Sequence, residues 1–202
     1  MNPVSILIDP LPLTIPVSGK DLSIETNFRT GILFEQLIQS GEVPEDEKIA
    51  YAVNLYFPDR FPQNAYDQLQ AVDGMLWFYS CGDDKQEDKG TNSAPAARIA
   101  RRIYDYDVDG PLIYAAFLAQ YNIDLQDIEY LHRWKFIAMF RGLAQHHKIV
   151  EIMGYRSMNI AKIKNKAERE HYAALQAKYA LPDNRSVEEK AAAAGALFGG
   201  MF

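Results

Sequence analysis

The sequence predicts a mainly α-helical fold: a single multi-helix domain with a small N-terminal β-hairpin element, so α+β only in a minor sense. Three observations carry this. Apolar residues recur at helical spacing through most of the 202 residues, punctuated by capping and proline signals. Only residues 13–25 carry a strand–turn–strand pattern with a glycine in the connection. The most apolar stretch, Asp124 to Arg156, is too apolar around its girth for a surface helix and reads as the core. With 48% hydrophobic and 12% aromatic residues there is ample material for that core, which excludes a disordered chain.

Taken in order, PVSILI (3–8) is a short apolar run of strand character. LTIPV (13–17) and DLSIE (21–25) flank Ser18-Gly19-Lys20 as a hairpin, with Pro16 marking the first run as an edge or irregular strand. Thr26 or Asn27 caps a helix whose apolar positions are Phe28, Ile32, Leu33, Leu37 and Ile38, ended by Ser40-Gly41. Pro44 opens a second, with Glu45, Asp46 and Glu47 where the helix dipole favours acids. Its face is Ile49, Ala50, Val53 and Tyr56, and Pro58 ends it. A third helix covers about 63–80, with Leu69, Val72, Leu76 and Tyr79 periodic and Trp77 and Phe78 on its flank.

Residues 81–97 are polar and charged, and read as a mobile linker within the domain. IYDYDV (103–108) alternates apolar and acidic residues, as a short strand able to pair with the N-terminal hairpin would. Asp109 then caps a helix with Pro111 near its start and Leu112, Ala115, Ala116 and Ala119 periodic, closed by Tyr121-Asn122. Asp124 caps the core helix, with Asp127 in its first turn. One stripe of that helix is Ile128, Leu131, Trp134, Ala138 and Gly142; a second is Tyr130, Trp134, Ile137, Phe140 and Ala144, widened by Phe136, Met139 and Leu143. Past a basic stretch (Lys162, Lys164, Lys166), an amphipathic helix over about 165–180 carries Tyr172, Leu175 and Tyr179 on one side, and Pro182 stops it. The organisation is thus a helical domain over 1–182 and a C-terminal segment over 183–202. In that segment Ser186, Glu188 and Glu189 open an alanine-rich helix, and Leu197, Phe198, Met201 and Phe202 form an apolar tip.

A net charge of −6 argues against nucleic acid as a partner, since phosphate binding needs a basic face. The run RIARR (98–102) is too short to overturn that. A single cysteine, Cys81, excludes an internal disulfide and fits a reducing compartment. No signal-peptide pattern and no apolar run near ~18 residues is present, so a soluble protein of the producing cell's cytoplasm, without a membrane partner, is expected.

The chemistry-bearing residues read as structural. His132, His146, His147 and His171 lack metal-ligand spacing, and adjacent His146-His147 diverge on a helix. Asp83, Asp84, Glu87 and Asp88 lack the spaced calcium-loop pattern. Cys81 has acidic neighbours rather than the positive surroundings a nucleophile needs. No nucleophile-elbow, phosphate-loop or dinucleotide glycine pattern occurs. No catalytic residue, metal or cofactor is therefore read, and the chain is expected to be non-enzymatic. Trp77, Phe78, Tyr79, Trp134, Phe136 and Phe140, at helical spacing, read as core rather than ligand pocket. Two features stay open. Arg156 suits either an interface or a buried carboxylate pair. The apolar tip suits docking on its own domain or on another chain.

YLHRWKFIAMFRGL followed by IVEIMGYR resembles the signature of the bacteriophage gp-fifteen family, found in tail gene clusters of long-tailed phages of Gram-positive bacteria. TNFRTGILFEQLIQ (26–39), LYFPDRFP (55–62), MLWFYSCG (75–82), RIYDYDVDGPLIYAAFLAQYNIDL (102–125) and YALP (179–182) fit the same family in order; the end after Ser186 lies outside the likeness. Trp77, Tyr79, Tyr130, Leu131, Trp134, Phe136, Phe140, Tyr155 and Arg156 are the signature positions, with a structural role expected. Genes of the family commonly lie between those of the major tail protein and the tape-measure protein, where tail assembly chaperones are encoded. The resemblance thus implies a non-catalytic tail assembly factor that binds the tape-measure protein or other tail proteins, with self-association a further option. The alternative it leaves is a minor tail or connector protein that stays in the virion.

Overall fold

The computed structural model describes residues 4–82 and 102–182, which form two compact units. The sequence predicts a single domain over 1–182, whereas the chain divides into two compact units. The secondary structure is mainly helical. Among the described residues, seven α-helices accompany one two-stranded antiparallel hairpin.

In the first unit, β1 (Thr14–Val17) and β2 (Lys20–Ser23) are joined by Ser18 and Gly19, both at positive φ (47° and 74°). That is the twist a two-residue hairpin turn requires, and glycine adopts it without cost. Val17 pairs with Lys20 and Pro16 with Asp21. Hydrogen-bonded pairs alternate along the ladder, and Ile24 N donates to Leu13 O two pairs beyond Ile15–Leu22. Pro16 therefore falls at a position where the ladder needs no N–H.

Ile15 and Val17 are buried on the face of β1 that meets α3 (Ala65–Tyr79). α3 offers Ala71, Gly74, Met75 and Phe78 as its buried side. Ser18 fixes the turn to α3: its N donates to Gln70 Oε1 (2.8 Å) and its Oγ to Asp67. α1 (Phe28–Gln39), capped by Asn27, buries Phe28, Gly31 and Phe34. It packs on α2 (Glu45–Tyr56), whose buried residues are Lys48, Ala52 and Tyr56. Lys48 explains that face. Its Nζ donates to Ile38 O at the end of α1 (2.9 Å) and pairs with Glu45. A cation on the last carbonyls of a helix is favourable, and the aliphatic stem packs beneath it.

In the second unit, α4 (Tyr106–Tyr121) starts at Asp105, whose carboxylate accepts from Asp107 N and Val108 N, and ends with Asn122 in the left-handed region. α5 (Arg133–Arg141) follows a single turn at 124–128, and α6 (Lys148–Ser157) follows α5 after a six-residue break. α7 (Lys166–Lys178), capped by Asn165, buries no residue fully. Its Tyr172, Leu175 and Gln176 are half-buried and Tyr179 follows them, which matches the predicted side. The core is aromatic. Phe136 stacks on Phe117 at 5.0 Å between centroids, and Phe140 meets Tyr104 edge-on at 5.1 Å.

Several expectations are corrected. Residues 3–8 do not form a strand in their described part. Ile8 N and Asp9 N both donate to Ser5 O, while Ser5 N donates to Asp9 Oδ2, closing a turn that leaves Leu7 91% exposed. Residues 103–108 are no strand either. Asp105 is a stronger start than Asp109 because its side chain serves two free N–H groups, so the helix begins earlier, Asp109 becomes buried inside it and Pro111 lies within it. The single core helix over 124–156 is two helices. Asp124 caps only the turn at 124–128, accepting from Gln126 N and Asp127 N, and α5 ends at Gly142, where an added Cβ would meet Ala138 O and the Tyr121 hydroxyl at 3.2 Å. The faces of α1, α2 and α3 are rotated from prediction: Leu33, Ile38, Ile49, Leu69 and Leu76 are exposed. The 81–97 stretch beyond Gly82 and the whole of 183–202, including Leu197, Phe198, Met201 and Phe202, lie outside the described residues.

Candidate functional site

The signature residues divide between the units. In the first, Tyr79 is half-buried; its ring meets Phe34 edge-on at 4.6 Å and its hydroxyl donates to Glu35 Oε2 (3.0 Å). Trp77, also half-buried, sits one turn from the helix end, where Gly82 N donates to its carbonyl. In the second, Leu131, Trp134, Phe136 and Phe140 are buried, and Tyr130 is half exposed. His132 caps α5, its Nδ1 accepting from Trp134 N (3.1 Å). Tyr155 stacks on Tyr179 with centroids 6.0 Å apart.

Arg156 resolves its two options. Its side chain is 5% exposed and Asp109's is 3%. Nη1 donates to Asp109 Oδ2 (2.5 Å), Nη2 to Oδ1 (3.0 Å), Nε to Tyr179 O (2.6 Å) and Nη1 also to Ile103 O (3.1 Å). One guanidinium fork thus ties α6 to α4, to the segment before α4 and to the end of α7, which is a geometry lysine could not supply. Gln176 adds to the knot by donating to the carbonyls of Tyr155 and Met158 at 2.8 and 3.0 Å. The signature ending in Tyr155-Arg156 is a structural anchor.

Sequence reasoning missed Asp109 as the partner because it was taken for a cap. The signal that identifies it is Asp105, a better cap four residues earlier, which moves Asp109 to the inner face of the first turns. It also missed Gln120, which bridges the α5–α6 break by donating to Gly142 O and accepting from Ala144 N, with His147 Nε2 2.9 Å from the same amide oxygen. An uncharged amide leaves no trace in periodicity.

What remains is surface. Among the described residues no group of three His, Cys, Asp or Glu is arranged to hold a metal ion, and no helix is long and apolar enough to cross a membrane. The large exposed apolar side chains are distributed unevenly. Eleven lie in the first unit (Ile6, Leu7, Ile8 and Leu13 near its start, the others on α1, α2 and α3) against Val108, Leu118 and Tyr130 in the second. Charge is uneven too. Residues 4–82 hold eleven Asp and Glu against four Lys and Arg, a formal −7, whereas residues 102–182 hold nine against eleven, +2. The first unit therefore presents an acidic, apolar surface, and that is the candidate functional site.

The model of one family, described as Bacteriophage Gp15 protein, matches residues 7–181, nearly all of the described chain. No curated protein and no solved structure matches.

Proposed function

The chain belongs to the bacteriophage Gp15 protein family, and from that premise we propose that it is a tail assembly chaperone, a non-catalytic factor that binds the tape-measure protein in the host cytoplasm before tail-tube subunits polymerise around it. Family membership by itself implies a phage structural or assembly-related protein. The observation that supports the finer reading is the surface of the first unit. A factor that holds a long apolar helical client needs exposed apolar side chains, and it needs net charge to keep itself dispersed while they are exposed. The first unit combines both, with eleven exposed large apolar residues and a formal charge of −7. The second unit has the opposite character, and its most polar feature, the Arg156–Asp109 pair, is spent inward.

Co-expression with the neighbouring tape-measure protein, followed by sizing of the complex, tests this. A tape-measure protein that precipitates alone and stays in solution, coated, in the presence of this chain is the expected result. The chain is also expected to be absent from purified virions. Its presence there in fixed copy number would replace the chaperone by a minor tail or connector protein.

A further inference from the structure

We propose that the outward face of α3 is a docking strip for a basic amphipathic helix of a partner protein; the identification of that partner as the tape-measure protein rests on the function proposed above. α3 has two opposite faces. Ala71, Gly74, Met75 and Phe78 are buried on one. Tyr66, Leu69, Asp73 and Leu76 fall within a sector of about 80° on the other, at 100° per residue, and span about 15 Å of helix. The three apolar members are 68%, 67% and 47% exposed. Asp73, in the middle of the strip, is exposed as well. Leu69 and Leu76 are two of the positions whose periodicity predicts burial, and the hairpin occupies the other side of the helix. The strip is therefore an amphipathic surface that the described residues of its own unit leave uncovered.

The occupant follows from charge. A strip with a carboxylate at its centre, on a unit of formal charge −7, complements a helix that flanks a Lys or Arg with apolar residues. A second copy of the first unit would bring −7 against −7. The second unit exposes as large apolar residues only Val108, Leu118 and Tyr130 among the described residues. The sequence of 183–202 is not basic, with Arg185 and Lys190 against Asp183, Glu188 and Glu189. None of these is the complement that the strip requires, and the basic run RIARR (98–102) is five residues long, too short for a helix spanning the strip.

The test uses the full chain and three variants at exposed positions: Leu69→Ser/Leu76→Ser, Asp73→Lys, and Leu7→Ser/Ile8→Ser as a control for exposed apolar surface elsewhere. Thermal melts establish that each keeps the parent fold. The probes are a labelled 18-residue helical peptide of Leu and Lys, its counterpart with Glu for Lys, and the co-expressed tape-measure protein. The parent chain is expected to bind the Leu/Lys peptide and not the Leu/Glu one. The double serine variant is expected to weaken that binding by more than about tenfold, the loss typical of removing central apolar anchors. Asp73→Lys is expected to weaken it and the Leu7/Ile8 control to leave it unchanged.

Equal binding of the two peptides by the parent chain, or unchanged binding by the strip variants, overturns the proposal. So does a parent dimer that becomes monomeric when the strip is changed, because the occupant is then a second copy. The two readings separate cleanly. If the parent chain fails to hold the tape-measure protein yet binds Leu/Lys peptide through the strip, the chaperone role falls and the docking strip stands. If the tape-measure protein is held equally by the strip variants, the strip is wrong and the chaperone role stands.

Discussion

Replacing Arg156 by Met removes four hydrogen bonds from the interior of the second unit. The Asp109 carboxylate, 3% exposed, then keeps the Asp105 N–H at 3.0 Å but loses the guanidinium, and the carbonyls of Ile103 and Tyr179 lose that donor. Breaking a buried pair by deleting one member costs roughly 3–5 kcal/mol, because the remaining charge stays buried without compensation. Asp109→Asn is milder: the guanidinium keeps both carbonyl partners, and the amide can still accept one N–H. Removing both charges in Arg156→Met/Asp109→Asn is expected to recover part of the loss, giving a coupling energy on the order of 2 kcal/mol between the sites. Urea unfolding followed by circular dichroism reads the singles and the double, and a 4 kcal/mol loss moves the midpoint by about 2 M at a typical slope. Two compact units need not unfold together, so hydrogen exchange of peptides from 103–182 assigns the loss to the second unit. An Arg156→Met cost below about 1 kcal/mol, or strictly additive singles, would refute the anchor and return Arg156 to the interface.

Gly19→Ala is expected to cost about 1 kcal/mol, read in a thermal melt, because φ is +74° and an added Cβ meets nothing within 4 Å, so the penalty is conformational alone. The Ser18 hydroxyl, and then the Asn64 amide, hold the Asp67 carboxyl below its ordinary value of 3.8. A carboxylate with a lowered folded pKa contributes stability above the unfolded value and loses it as pH falls through the folded one. The hairpin–α3 tie is thus expected to weaken below that range, and Ser18→Ala to move the Asp67 titration upward in a carboxyl-carbon NMR experiment; an unmoved titration contradicts the assignment. Gln120→Ala removes the donor to Gly142 O and the acceptor of Ala144 N, with an expected cost of about 0.5–1.5 kcal/mol and faster amide exchange at Ala144.

The sequence is most legible where local chemistry decides. The hairpin, the Asn27 cap, the acids at the start of α2 and the Asn122 terminus all follow from single residues acting on their nearest backbone, whereas α7 ends at Lys178, ahead of Pro182. It is least legible where a long-range contact overrides the local pattern. Lys48 reaches the end of α1 and turns α2 so that Ala52 and Tyr56, not Ile49, are buried. The hairpin takes the small-residue side of α3, so that Leu69 and Leu76 face outward. The break after Gly142 depends on Tyr121 and Gln120, both some twenty residues upstream. Apolar periodicity says that a face is to be covered; it does not say by which chain. That is why Leu69 and Leu76 are periodic in the sequence and exposed in the structure.

Arg156 also sets an order of events during synthesis. Its partners Asp109 and Ile103 lie 47 and 53 residues upstream, but Tyr179 lies 23 residues downstream. The second unit therefore cannot close its anchor until α7 has left the ribosome. Domains fold as units, N-terminal first, while the chain is still growing, so residues 4–82 emerge before that anchor can exist. A chain that stops short of Tyr179 therefore leaves Arg156 Nε without its carbonyl acceptor.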